Sequence, residues 1–158
     1  MSRTATAKDV ASGAPLAEPA PDADALWRAL ETIAGCQEAL VERLYEDFFA
    51  RCPEARPLFG VYAIAEREEM VAETLRSIVA LHEGEPWLEG NLEALGRSHE
   101  EYGVTSSMYP IFVESFVASV GAAAGVPLDE AAQTALRSAI AHVTERMRVA
   151  GEASARPT

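Results

Sequence analysis

The chain repeats one pattern from about residue 22 to residue 150: apolar side chains recur every three or four positions, with charged or polar residues between them. This spacing places the apolar residues on one face of an α-helix, and no stretch shows the strict alternation of a β-strand. Glycine and proline divide the pattern into segments. The sequence therefore predicts an all-α domain of about seven helices with short connections.

The ends of the apolar stripes give the helix boundaries. We expect α-helices over residues 22–34, 36–50, 65–82, 88–102, 107–124 and 128–149, and a short helical turn over 54–59. Gly103 can end the fourth α-helix by taking the left-handed conformation. Ser106 or Ser107 is expected to cap the fifth α-helix, and Asp129 or Pro127 to start the last.

Composition and charge narrow the possible roles. The net charge of −12 argues against a nucleic-acid partner, because phosphate binding needs clustered Lys and Arg. No apolar run approaches the roughly 20 residues of a membrane helix, and no apolar signal core stands at the N-terminus. Cys36 and Cys52 lie too far apart along one helix for a disulfide. We therefore expect a cytoplasmic protein with free thiols and no membrane partner.

The domain organisation follows from where the pattern starts and stops. Residues 1–21 are rich in Ala, Ser, Thr and Pro without periodicity, which predicts a disordered tail. Residues 22–150 are enough for one domain with its own core. Residues 151–158 are predicted to be a frayed C-terminal tail.

The most informative single residue is His99. It ends an apolar stripe of Leu88, Leu92 and Leu95, just before the helix stops. An imidazole at this place could point into an apolar cavity and hold a metal from one side. The alternative is a core histidine bonded to a backbone carbonyl. His82 and His142 are not spaced from it as a local metal pair would be.

Two further polar residues fall at helix faces that should be buried. Tyr45 lies within the apolar stripe of the second helix, so its hydroxyl needs a partner, either a backbone carbonyl or a ligand. Arg67 lies one turn before Met70 and Val71, near the edge of a buried face. A solvated charge is the simplest interpretation of Arg67.

Four blocks together resemble a globin of the single-domain bacterial type, similar to the globin domain of flavohaemoglobins. They are Leu44–Phe59, the apolar pairs from Met70-Val71 to Ile78-Val79, Leu92–His99, and Val104 followed by Met108-Tyr109-Pro110. The resemblance spans roughly residues 25–148. It implies the globin fold, with about seven helices packed around a pocket for haem b.

The resemblance also assigns roles to residues. His99 matches the proximal histidine, the axial ligand to haem iron, and Tyr45 matches the distal tyrosine that hydrogen-bonds a bound gas. Arg67 falls where a distal His or Gln is usual, and there it would hold a haem propionate or swing over the ligand. The implied lining of the haem pocket is Phe59, Met70, Val71, Leu95, Val104, Tyr109 and Phe112.

The resemblance has departures that leave the activity open. Flavohaemoglobins pair a proximal Tyr and Glu with the axial His; Tyr109 fits the tyrosine, but the glutamate position aligns with Ser138. No flavin or nicotinamide domain follows, so a redox cycle would need a separate reductase. The implied function is reversible binding of oxygen, with nitric oxide or carbon monoxide as other ligands, by a monomer or homodimer. The alternatives are a nitric oxide dioxygenase or peroxidase, and a sensor or haem-free helical interaction module.

Overall fold

The structure is a computed structural model that describes residues 23–61 and 63–156. Within these residues it contains six α-helices and one 3-10 helix, and no β-strand. The elements are α1 (Ala23–Ala34), α2 (Gln37–Arg51), η1 (Pro53–Leu58), α3 (Ala63–Glu83), α4 (Leu88–Glu101), α5 (Met108–Ala124) and α6 (Glu130–Ala155). The predicted all-α class and helix count are confirmed. The predicted N-terminal tail lies outside the described residues.

Helix α5 lies at the centre of the fold. Its buried residues include the run Ser115, Phe116 and Val117, so most of its circumference is covered. A narrow stripe that includes Glu114 and Ala118 is exposed to solvent. A helix with so small a solvent face is apolar over most of its surface. Helix α2 packs on it from one direction and α6 from another, while α4 packs on α6. The result is two clusters of buried side chains, both of which include residues of α5.

Helices α4 and α6 touch through their backbones. A Cβ atom built on Gly96 would lie 2.1 Å from the carbonyl oxygen of Met147. A Cβ atom on Gly151 would lie 2.9 Å from the carbonyl oxygen of Gly96. No real side chain tolerates the first of these distances, so glycine is required where the helices cross. The crossing lies within one turn of His99 and fixes the position of that turn.

The predicted caps at the helix ends are confirmed, except at the start of α5. Gly103 and Gly125 take the left-handed conformation, with φ of 95° and 71°, after α4 and α5. The Asp129 carboxylate accepts a hydrogen bond of 2.8 Å from the Ala132 N–H and caps α6, as predicted. The predicted serine cap of α5 is wrong, since Ser107 holds the N-cap position without a side-chain capping bond.

Helix α6 runs past its predicted end at Val149 to Ala155, into the segment predicted to fray. Two contacts explain the extension. Gly151 is buried against α4, and the Glu152 carboxylate accepts hydrogen bonds of 2.7 Å from both Arg148 and the Ser106 hydroxyl. Ser106, one of the two predicted caps, thus ties the α4–α5 corner to the end of α6.

Among the helices of the described residues, none is both long enough and apolar enough to cross a lipid bilayer.

Candidate haem-binding site

His99 lies in the last turn of α4, partly buried, with its ring held by one backbone contact. The distance from its Nδ1 to the Leu95 carbonyl oxygen is 2.8 Å. With the proton on Nδ1, this nitrogen donates to Leu95 and leaves a lone pair on Nε2. Burial lowers the pKa of His99, and the bond to Leu95 acts in the opposite direction. The imidazole is therefore favoured in the neutral form that a metal requires.

The backbone bond of His99 fits both interpretations made from the sequence. A core histidine is satisfied by such a bond, but a metal-ligating histidine is also oriented by one. The bond therefore shows that the ring is fixed, while the free Nε2 leaves it able to act as a ligand.

Tyr109 is the aromatic neighbour of His99, with ring centroids 6.4 Å apart. Burial and the negative charge of Glu100 raise the pKa of Tyr109 to about 12, so its phenol stays protonated. On α6, Val143 and Met147 belong to the same cluster as Tyr109. Helix α6 thus presents apolar side chains here, where the resemblance to flavohaemoglobins led us to look for a carboxylate.

The alignment of Ser138 with the expected glutamate is not supported by its position. Ser138 is exposed on α6, more than one turn before Val143, and His142 is exposed as well. The residue that faces α4 depends on how the two helices cross. The Gly96–Gly151 contact sets this crossing and brings Met147, not Ser138, against α4.

Tyr45 occupies the centre of an aromatic cluster on the other side of α5. Its ring centroid lies 5.4 to 6.5 Å from those of Phe48, Phe49, Phe59 and Phe112. Only 1% of Tyr45 is exposed, yet its hydroxyl has no hydrogen-bond partner among the described residues. Burial raises its pKa, with the charge of Arg67 acting in the opposite direction, so the hydroxyl remains a donor. The backbone-carbonyl alternative for Tyr45 is wrong.

Arg67 reaches the same aromatic cluster from the first turns of α3. Its guanidinium carbon lies 5.0 Å from the Phe49 ring centroid, 5.7 Å from that of Tyr45 and 5.8 Å from that of Phe59. The Nε atom is buried and has no hydrogen-bond partner among the described residues. Arg67 is half-buried, so its Nε atom is withdrawn from solvent while the charge as a whole is not shown to be. Two buried donors, Tyr45 and Arg67, stand in one cluster without an acceptor.

The remaining predicted lining residues divide between the two clusters. Val71 and Phe112 are buried in the larger cluster with Tyr45, and Phe59 and Met70 pack against it. Leu95 packs against the smaller cluster with Tyr109, and Val104 packs against both. The predicted lining residues therefore fall into two groups, one with Tyr45 and one with Tyr109. Tyr109 and Phe112, one turn apart on α5, belong to different groups.

Sequence reasoning missed two kinds of residue at this site. Gly96 and Gly151 were not singled out, although a glycine inside a helix is costly and is therefore a signal of close packing. Phe49 was also not singled out, although it is the ring nearest to the Arg67 guanidinium. The pairing of Phe48 with Phe49, one turn after Tyr45, was the available signal for an aromatic wall.

A family model described as Globin matches residues 42–147. The match covers more than half of the chain, so the chain belongs to the globin family. The predicted globin fold is thereby confirmed. Members of this family are haem-binding proteins that take gaseous ligands. The matched region includes Tyr45, Arg67 and His99, the three polar residues that the structure places around α5.

Proposed function

We propose that this globin binds haem b through His99 and reversibly binds oxygen or another diatomic gas beside Tyr45. The observation that carries the proposal is the Tyr45 hydroxyl, a buried donor without a partner. A buried unpaired donor costs roughly 1–3 kcal/mol, so a fold that retains one has a ligand to offset the cost. When bound, the haem iron supplies the position at which the gas is held.

On the proximal side, the residues present fit a haem. His99 offers Nε2 as the ligating atom, and the bond from Nδ1 to Leu95 keeps the ring from rotating. Leu95, Val104 and Tyr109 supply apolar surface beside it. This surface excludes water, which would otherwise compete for the metal and promote loss of the cofactor.

On the distal side, Tyr45 acts as a hydrogen-bond donor to the gas ligand. Such a bond in a dry site contributes about 1 to 3 kcal/mol, which slows release of a ligand that carries partial negative charge. Phe59, Met70, Val71 and Phe112 keep the site apolar. The cation of Arg67 adds to the same preference for a ligand that accepts hydrogen bonds.

The enzymatic alternative is a nitric oxide dioxygenase or peroxidase served by a separate reductase. Both activities profit from a carboxylate that makes the axial imidazole more basic, and the Val143 and Met147 side chains occupy the α6 face near Tyr109. This observation favours gas binding over those reactions. We further propose that the protein is cytoplasmic and of the single-domain bacterial type.

The test is the visible absorption spectrum of purified protein in the ferric, dithionite-reduced and carbon monoxide forms, for the parent, His99→Ala and His142→Ala. We expect an intense haem band that shifts with carbon monoxide in the parent and in His142→Ala, whose histidine is exposed. The band should be lost or grossly altered in His99→Ala. A parent that cannot be reconstituted with haem, or a normal spectrum in His99→Ala, would contradict the proposal.

A further inference from the structure

Both tryptophans of the chain are exposed, and both border the turn between α3 and α4. Trp27 on α1 is 39% exposed, and its ring meets that of His82 near the end of α3, with centroids 5.5 Å apart and an angle of 88° between the planes. Every residue from His82 to Trp87 is exposed, and Trp87 itself is 44% exposed. We call Trp27 and residues 82–87 the tryptophan corner.

The backbone of the tryptophan corner is fixed by its own hydrogen bonds. Gly84 takes the left-handed conformation, with φ of 68°, and the Glu85 N–H donates to the Ala80 carbonyl oxygen over 2.9 Å. Leu88, the residue after Trp87, is buried and anchors the start of α4. Tryptophan is highly buried on average, and it is among the residue types that contribute most to protein–protein interfaces. Two exposed rings on a fixed corner therefore indicate a contact surface.

The carboxylates around these rings have no cation of their own. Glu83 and Glu85 lie within the tryptophan corner, and Glu31 lies one turn after the tryptophan of α1; all three are exposed. None of them takes part in an ion pair among the described residues. The arginine that follows the tryptophan of α1, Arg28, pairs instead with Asp129 at the start of α6. The corner is thus both aromatic and negatively charged.

We propose that the tryptophan corner is a docking surface for a basic protein, one that presents arginine or lysine side chains. A cation is attracted to the face of an indole ring, and it also pairs with a carboxylate. Both kinds of group in the corner therefore select the same partner. The inference goes beyond the proposed function, because neither haem nor a gas ligand takes part in it.

Charge disfavours the other occupants of this surface. The chain carries a net charge of −12, so docking of a second copy would bring like charges together. Nucleic acid and anionic lipid headgroups would be repelled by Glu83 and Glu85 in the same way. A basic protein surface is the occupant that the rings and the carboxylates both favour.

The experiment is a fluorescence anisotropy titration of a labelled peptide of alternating arginine and alanine with the protein as purified. The ionic strength is set at about 0.15 M, where the Debye length is about 8 Å, so that only nearby charges act. A peptide with glutamine in place of every arginine is the neutral probe. We expect the parent to bind the arginine peptide and not the glutamine peptide.

Two variants test the two kinds of group separately. Glu83→Gln/Glu85→Gln removes two exposed charges and should raise the Kd for the arginine peptide about fivefold. Trp87→Gln removes an exposed ring and should raise it about threefold, the size of an exposed cation–π contact. In nitrogen-15 NMR spectra of the parent, both indole N–H signals should shift when the arginine peptide is added, and the spectrum of Trp87→Gln assigns them.

Glu66→Gln/Glu68→Gln is the matched control, because it removes the same number of charges from the other end of α3. Glu68 lies about 21 Å along the helix from His82, and glutamine can still accept the Gly60 N–H at position 66. Its Kd should stay within about twofold of the parent value. An equal loss in the two double variants, or indole signals that do not shift, overturns the proposal. So does a parent dimer, seen by analytical ultracentrifugation, that Trp87→Gln abolishes, because the occupant would then be a second copy.

Discussion

The two sides of the candidate haem site differ in how completely the chain satisfies its own polar groups. On the His99 side, the ring nitrogen that faces the chain is bonded to Leu95, and the helix is pressed backbone to backbone on α6. On the Tyr45 side, the hydroxyl and the Nε of Arg67 are buried without acceptors in the described residues. On the first side the Nε2 of His99 is left for a ligand, whereas the second side leaves two buried donors unpaired.

This difference shows where folding and function make separate demands. The His99 side must hold one atom at a fixed place, which a rigid backbone contact does well. Under the proposed function, the Tyr45 side holds a ligand that binds and dissociates, so its donors are kept free at a cost to stability. Mutations on the first side should therefore mainly lower the stability of the fold. Mutations that remove a donor on the second side should weaken ligand binding and raise stability.

The largest expected effect is a loss of stability when the α4–α6 contact near His99 is disrupted. Gly96→Ala places a methyl group 2.1 Å from the Met147 carbonyl oxygen, so α4 must move away from α6. We expect a loss of about 3 kcal/mol or more in the free energy of unfolding, measured by urea denaturation. Because His99 lies one turn further on, faster haem loss should accompany it.

Gly90→Ala, in the same helix, is the control for this change. A Cβ atom at Gly90 has no neighbour within 4 Å, so alanine should raise stability by roughly 0.5–1 kcal/mol through helix propensity alone. Equal stability losses in the two variants would show that the close contact between α4 and α6 at Gly96 does not hold the His99 helix in place.

An intermediate effect is expected from removing the Tyr45 hydroxyl on the other side of the site. Tyr45→Phe removes the free hydroxyl and keeps the ring among its aromatic neighbours. Oxygen release, followed by stopped flow, should become at least tenfold faster, which corresponds to about 1.4 kcal/mol. The haem-free protein should become more stable by about 1 kcal/mol in urea, because an unpaired buried donor is removed.

Tyr102→Phe provides the comparison, since Tyr102 is 73% exposed and should change neither quantity. If oxygen release were unchanged in Tyr45→Phe, the Tyr45 hydroxyl would not contact the bound ligand. A variant that loses stability would mean that the hydroxyl has a partner in the folded protein.

The smallest expected effect is on stability and comes from the N-terminal cap of α6. The Ala132 N–H, and then Arg28, hold the pKa of Asp129 below its ordinary value of 3.8. A carboxylate with a lowered pKa stabilises the fold above its ordinary pKa, and this contribution is lost as pH falls through the lowered value. Asp129→Ala should therefore unfold at a lower temperature than the parent near pH 7.

The difference between the two melting temperatures should shrink as the pH falls below 3.8, the ordinary pKa of the carboxyl. Asp129→Asn can still accept the Ala132 N–H bond and should lose less than Asp129→Ala. A difference that stays constant over the whole pH range would show that the charge of Asp129 does not contribute.

The helices were predictable from the sequence because their apolar stripes repeat with the helical period and end at glycine or proline. The roles of His99 and Tyr45 were suggested by resemblance, and the structure adds their surroundings. The orientation of Arg67 was not predictable, because it depends on contacts with the rings of Tyr45 and Phe49, which belong to another helix. The alignment of the expected glutamate with Ser138 rested on the resemblance alone, which does not show which turn of α6 crosses α4.

The tie between the end of α6 and the α4–α5 corner has a kinetic consequence. A cofactor leaves a pocket when part of the wall opens, and the opening rate depends on the least stable segment of that wall. The Ser106–Glu152–Arg148 contacts anchor the corner that follows His99, so this segment opens together with the last turns of α6 rather than alone. Under the proposed function, the rate of amide hydrogen exchange at the corner should therefore rise and fall with the rate of haem loss.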